Sequence, residues 1–367
     1  MTDRSHNYHP DHCAPPGDLI QMYLDDLDIS ARELARRCGR SGKLLSEIIA
    51  GKAPIEPETA LQLEKVLDVS ASIWINMEAN YRLHSARLSE EESLVDSYEW
   101  AKLFPIKELA ERGYLRKVAD RAAQVKEVLV FFGVGTVKAC EEKIDELLQV
   151  DFRTTQKFTA NRPALAAWLR IGERSAQAIE SREYDRDAFL SALGQLRPLS
   201  RTSLTEALPK IRDLCAHAGV AFVLEKPLPK TRASGASRWL SPRKALIQQS
   251  ARYLTGDHFW FTFFHECAHL LLHSRKEIFI DIDRGPGSAT PVQEEEANLW
   301  ASDFLIPASE MREFQKTFSG DEKEITAFAS RIKIAPGIVV GQLQHNGVLS
   351  HNKFNSLKER LTWESET

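Results

Sequence analysis

Phe259-Trp260-Phe261-Thr262-Phe263-Phe264-His265-Glu266-Cys267-Ala268-His269-Leu270-Leu271-Leu272 is the stretch that decides the reading of this chain. The run is apolar except where His265, Glu266 and His269 break it. Residues four apart share a face of an α-helix, so His265 and His269 can aim two imidazoles at one point. Such a point suits Zn²⁺, which takes imidazole nitrogens at about 2.0–2.1 Å. Glu266, one step round the helix, is the candidate general base for a water that the metal activates. Standing alone, the pattern has a plain alternative: a buried helix that carries His-Glu-x-x-His by accident.

A catalytic zinc site needs a third protein ligand and leaves one position open. Downstream, Glu294-Glu295-Glu296-Ala297-Asn298-Leu299-Trp300-Ala301-Ser302-Asp303-Phe304-Leu305-Ile306-Pro307 reads as a second helix closed by proline. Ala297, Ala301, Phe304 and Leu305 form its apolar stripe, and the small alanines permit close approach to the histidine helix. Glu296, beside that stripe, is the expected third ligand. Glu294 and Glu295 are the alternatives, since an acidic run at a helix start commonly complements the dipole. Asp303 can orient a ligand histidine or simply face solvent. His273 can sit near the site, but the role expected of it is at the helix end beside the dipole.

These residues carry a family resemblance. His-Glu-x-x-His, then Leu-Leu-Leu-His, a linker, Glu-Ala-Asn-x-x-Ala and Leu-Ile-Pro resemble the ImmA/IrrE zinc metallopeptidases, over roughly residues 205–310. The resemblance implies metal binding by His265, His269 and Glu296, and a catalytic role for Glu266.

A second signal lies near the other end. Ser30 with Glu33 reads as a capping box opening a helix whose apolar face is Leu34 and Cys38. Ala35 permits a close helix crossing, Gly39 makes the turn, and Leu44, Leu45, Ile48 and Ile49 bury a second helix that Gly51 ends. Arg37, Arg40, Ser41, Gly42, Lys43, Ser46 and Lys52 are the candidate DNA contacts, most of them at the start of the second helix, where a recognition helix meets base edges. From Ser30 to Lys52 six Lys/Arg face two Glu, a balance of plus four, whereas the whole chain carries minus four. Basic charge is thus localised as phosphate binding requires. The alternative is a plain helical hairpin with solvated charges. With Pro16-Gly17-Asp18-Leu19-Ile20 before it and Ile55 to Tyr81 after it, the stretch 15–83 resembles the HigA antitoxins among the XRE-like repressors. That resemblance implies operator binding as a homodimer, autorepression and a HigB-like toxin partner.

Length supports several domains: 367 residues suggest two or three. The boundaries expected are a helix-turn-helix domain over 1–95, a helical spacer over 96–203 and a zincin-like domain over 204–367. Hydrophobic residues make up 43% and charged residues 27%, ordinary globular usage. The start, Met1 to Cys13, lacks the apolar core of a signal peptide, and the run 259–272 is too short and polar to span a bilayer. Five scattered cysteines (13, 38, 140, 215, 267) suit reduced thiols and a cytoplasmic location.

Between the two signals, helices are expected over 90–103, 105–113, 115–132, 137–148, 163–179, 187–196 and 204–219, with Phe152 and Trp168 as core residues. Strands are expected at Val220–Glu225, Ser237–Leu240 and Lys244–Gln248, the last two flanking a Ser241-Pro242-Arg243 turn. Arg238 and Trp239 are candidates for the border of a substrate cleft. His345 and His351 are expected on the surface. The fold expected is mostly α, with a small sheet in the C-terminal half. The function expected is a DNA-binding regulator with a Zn²⁺-dependent endopeptidase domain that cleaves a regulatory protein. The rival is a non-enzymatic antitoxin or repressor whose zinc domain only binds a ligand or a toxin.

Overall fold

The computed structural model describes residues 13–148, 162–250, 252–253, 255–282 and 292–362. Phe152 lies outside them. The chain divides into two compact units: residues 1–98 with 120–125, and residues 99–119 with 126–367. No helix among the described residues is long and apolar enough to cross a membrane.

The first unit is helical: α1 (Pro16–Asp26), α2 (Ala31–Arg37), α3 (Gly42–Ile49), α4 (Pro57–Leu67) and α5 (Ala71–Asp96). Ile20, Leu24, Leu34, Leu45, Ile48, Leu63 and Trp74 form its core. Ser30 caps α2, its hydroxyl accepting from the Glu33 amide at 3.2 Å. The reciprocal half of the expected box is replaced: the Glu33 carboxylate accepts from Arg36 and Arg37 instead. Gly39 turns the chain at φ 63°, a conformation open to glycine at little cost. The Ser41 hydroxyl accepts from the Leu44 amide and caps α3. The expected helix at 90–103 is the end of the long α5 followed by a separate turn, α6 (Tyr98–Ala101).

Next come α7 (Ile106–Glu111), α8 (Arg121–Phe132), α9 (Val137–Leu147), α10 (Arg162–Ala178), α11 (Arg186–Leu196) and α12 (Leu204–His217). Residues 115–120, expected to open α8, precede it without helix; the helix begins after Asp120, whose carboxylate accepts from the Ala123 amide. The remainder holds β1 (Val220–Leu224), β2 (Ala233–Ser241), β3 (Lys244–Gln249), α13 (Gly256–Leu272), β4 (Phe279–Ile282), α14 (Val292–Leu305), α15 (Ala308–Thr317), α16 (Glu322–Ile332) and α17 (Pro336–His345).

The sheet runs β1-β3-β2-β4, with β1 parallel to β3 and the other pairs antiparallel. Strand alternation sends Val220, Phe222, Ala245 and Ile247 to the α13 side, and Ala221, Val223 and Leu246 to the α10 side with Ala176. Both faces are covered, so β1 reads as an apolar run rather than an alternating strand. Helix α13 lies on one face of this sheet and also packs on α14 and α17. Burial on all sides explains its apolar sequence and the weak amphipathic pattern. Trp168 is fully buried, as expected, and sends its indole N–H to the Glu225 carbonyl at 3.5 Å.

Arg238 and Trp239 serve packing rather than a cleft. The Arg238 guanidinium is buried and donates to the Leu169 carbonyl of α10, with Glu173 3.6 Å away. Trp239 meets Tyr184 edge-on at 4.6 Å and carries Arg275 over its ring at 4.1 Å.

Candidate metal centre and DNA-facing helix

Helix α13 places His265 and His269 one turn apart with their Nε2 atoms 3.0 Å from each other. Both rings are buried, at 2% and 1% exposure. The carboxylate that meets them is Glu294 of α14: Oε2 lies 3.2 Å from His265 Nε2, and Oε1 lies 3.7 Å from His269 Nε2. Ligand atoms 2.0–2.2 Å from a tetrahedral Zn²⁺ stand roughly 3.3–3.5 Å apart, so these separations bracket the required spacing. Two imidazoles and a carboxylate are also the donor types such a metal takes, and these three residues form a group able to hold one. The residues present therefore fit the metal that the resemblance implies.

Glu296 does not join this group. Its carboxylate is half exposed and lies 3.1 Å from His273 Nε2. The reason is helical phase. At about 100° per residue, Glu294 falls within about 20° of Ala301 and Leu305, the buried stripe that faces α13, while Glu296 is turned roughly 140–180° away. The i, i+7 spacing from Glu294 to Ala301 was available in the sequence. The dipole complement offered a sufficient account of Glu294 and hid it. Asp303 turns away too, accepting from the Ala308 amide and so capping α15.

Glu266 is fully buried, and neither carboxylate oxygen has a hydrogen-bond partner among the described residues. Burial pushes its carboxyl up to about 8, with the neighbouring His265 opposing. Its space comes from β2. A side chain at Gly235 would put a Cβ 2.4 Å from Glu266 Oε1. Burial opposes charge on His265 as well, but the Glu294 hydrogen bond and the Glu266 charge outweigh it and raise the ring to about 9. Burial lowers His269 to about 4. Glu294 is held well below the usual carboxylate range: burial opposes this, but the adjacent His265 and His269 rings prevail.

The faces of α13 and α14 that carry the cluster continue into a cavity of about 750 Å³, lined by Phe261, Thr262, Asn298, Ser302, Gln342 and Lys358 among others. Phe261 lines this cavity, and its ring lies 6.2 Å from that of His265. His345 and His351 are exposed, as expected, and also line the cavity. Lys358 is anchored there by Asp257 at 2.7 Å.

The DNA candidates divide into two groups. Gly42, Lys43, Ser46 and Lys52 are exposed on or beside α3, and the Lys43 side chain is 85% exposed, 3.8 Å from Glu47. Arg37, Arg40 and Ser41 are engaged within the unit. Arg37 donates to Glu33, Arg40 donates to Gln62 and Glu58 of α4, and Ser41 caps α3.

Comparison with known proteins gives two regions of likeness. Residues 20–74 match the helix-turn-helix family, and residues 221–342 match the IrrE N-terminal-like domain of a peptidase family. An uncharacterized HTH-type transcriptional regulator of Escherichia coli K12, YddM, is 38% identical over 71 residues, 19% of this chain and 76% of that protein. Virulence-associated protein A of Dichelobacter nodosus is 39% identical over 70 residues, 18% of this chain and 69% of that protein. A crystal structure from Nostoc punctiforme, of a protein assigned to a plasmid maintenance system as its antidote, is similar at 32% identity. It covers 22% of this chain and 90% of that one, with a TM-score of 0.22.

Proposed function

The chain belongs to the helix-turn-helix transcriptional regulators and carries an IrrE N-terminal-like domain, and on that premise we propose a HigA-like repressor whose second unit is a Zn²⁺-dependent endopeptidase acting on a regulatory protein. The observation that carries the enzymatic half is the buried convergence of His265, His269 and Glu294 beside Glu266. His265, His269 and Glu294 would hold the metal. When bound, Zn²⁺ lowers the pKa of water to about 7 and polarises a peptide carbonyl. Glu266 takes the proton of the attacking water on its carboxylate and hands it to the amine nitrogen that leaves. Gly235 and the surrounding sheet keep bulk water from that carboxylate. The cavity beside Phe261 is of ordinary ligand-site size and supplies amide and hydroxyl groups suited to a peptide backbone.

On the DNA side, α3 enters the major groove as a recognition helix, with Lys43 and Ser46 at its exposed face and Lys52 on the flank. Arg40 and Ser41 hold α3 in place. Two copies on an inverted repeat would set half-sites about one helical turn apart. A HigB-like toxin as partner rests on the resemblance of residues 15–83.

One substitution separates enzyme from scaffold. Glu266→Gln is nearly isosteric and leaves the three metal-holding residues intact. Zn²⁺ content and operator binding are expected to persist, while cleavage falls by about 10²–10⁴, the usual worth of general acid–base catalysis. The measurement is immunoblotting of the regulated repressor, with a promoter reporter, in cells carrying either form. Equal blots and equal reporter output, with Zn²⁺ bound in both proteins, would favour the non-enzymatic antitoxin.

A further inference from the structure

His273 closes α13 one turn beyond His269, and its side chain is only 4% exposed. Its Nδ1 lies 2.9 Å from His269 Nδ1, and its Nε2 lies 3.1 Å from Glu296 Oε2. Phe279 of β4 backs both rings, stacked on His269 at 4.2 Å and 14° and tilted against His273 at 5.0 Å. The three polar groups thus form a line from solvent to the centre: a carboxylate 54% exposed, a buried ring, and a second buried ring whose far nitrogen faces His265 and Glu294.

The proton positions along this line follow from its outer end. An ionised carboxylate only accepts hydrogen bonds, so His273 Nε2 carries the hydrogen that Glu296 receives. His273 Nδ1 is then the acceptor in its 2.9 Å contact with His269 Nδ1. The partner nitrogen at 2.9 Å must donate, so His269 bears its hydrogen on Nδ1. That leaves the His269 Nε2 lone pair aimed at the centre, the form in which imidazole binds a metal. His265 has no such support: its Nδ1 is buried without a hydrogen-bond partner among the described residues.

We propose that His273 and Glu296 form a positioning relay that fixes the tautomer and ring orientation of His269. The proposal rests on the reading of His265, His269 and Glu294 as metal ligands, and it gives Glu296 an outer role. Neither residue touches the reacting atoms; both act through His269. Outer partners of ligand histidines are typically worth 10–100-fold in metal affinity.

The test uses the full chain and Zn²⁺ alone, titrated against a chromophoric chelator. His273→Phe keeps an aromatic ring against Phe279 but removes the acceptor, and it should weaken Zn²⁺ binding by about 10–100-fold. His273→Gln offers a carbonyl oxygen to His269 and should recover most of that loss. Glu296→Ala, on the exposed face of α14, should weaken binding in the wild-type background and add nothing once His273 is Phe. Non-additivity of that kind marks residues acting in one chain. A second readout needs no variant. Long-range ¹H–¹⁵N spectra of histidine-labelled, metal-free protein should show His269 protonated at Nδ1. Zn²⁺ affinity of His273→Phe within twofold of wild type, or His269 protonated at Nε2, would overturn the relay. A wild type that takes up no Zn²⁺ sinks the metal reading, while the His269 tautomer in that same sample still decides the relay.

Discussion

Gly235 and Glu266 occupy one another's space, and that sets the strongest expectation at the scale of single residues. A methyl at position 235 would meet Glu266 Oε1 at 2.4 Å, and the carboxylate is enclosed on every side. Overpacking of this kind costs about 1–3 kcal/mol. Gly235→Ala should therefore lower the denaturant midpoint and displace the proposed base, cutting cleavage while Zn²⁺ stays bound. Wild-type stability and turnover together would show that the carboxylate has room to spare. The thiols give a second residue-level expectation. Burial pushes Cys140 and Cys215 up to about 12, and Cys267 well above its ordinary value. The reactive species is the thiolate, so these three should resist a disulfide reagent at pH 8. Cys13, partly exposed, should react first. Mass mapping of the labelled peptides checks the order, and early labelling of Cys215 would contradict it.

Among the elements, α3 shows how structural and recognition duties divide along one short helix. Arg40 is committed to α4 through Gln62 at 2.6 Å and Glu58 at 3.1 Å, whereas Lys43 projects into solvent. Lys43→Ala should weaken binding to many DNA sequences alike and reduce the salt slope by about one unit, with little change in stability. Arg40→Ala should act mainly on the fold of the first unit. Ser41→Ala removes the cap of α3 and should cost about 1 kcal/mol of stability. Salt-dependent operator titrations beside thermal melts separate these outcomes. A salt slope moved by Arg40→Ala and untouched by Lys43→Ala would exchange the two roles. Capping, turns and apolar faces of α2 and α3 were legible because each depends on residues within one or two turns. The strand β4 was not expected. Phe279-Ile280-Asp281-Ile282 is four residues long, and only pairing with β2 makes a strand of it.

At the scale of the whole molecule, the two units have separate cores, one built on Leu34, Leu45 and Trp74 and the other on Phe222, Phe263 and Val339. Calorimetry should resolve two transitions. A metal at His265, His269 and Glu294 binds only the native second unit, so chelation should lower that transition and leave the other in place. Ligand at a thousand times its Kd stabilises by about 4.1 kcal/mol. Equal shifts in both transitions would place the metal elsewhere.

His-Glu-x-x-His could be read without a fold because four residues on a helix fix a face. The regulator-like first unit was equally legible, since its capping serine, turn glycine and basic charge are contiguous. The third partner of the histidines was a different matter. Glu294, Glu295 and Glu296 are chemically identical neighbours, and their roles diverge only through the rotation of α14 against α13. The phase of Ala297, Ala301 and Leu305 contains that rotation, but close packing of α14 on α13 is what turns Glu294 inward. The pairing of Glu296 with His273, and the stacking of Phe279 on His269, join residues from separate elements. Such contacts have no local signature, and only tertiary packing creates them.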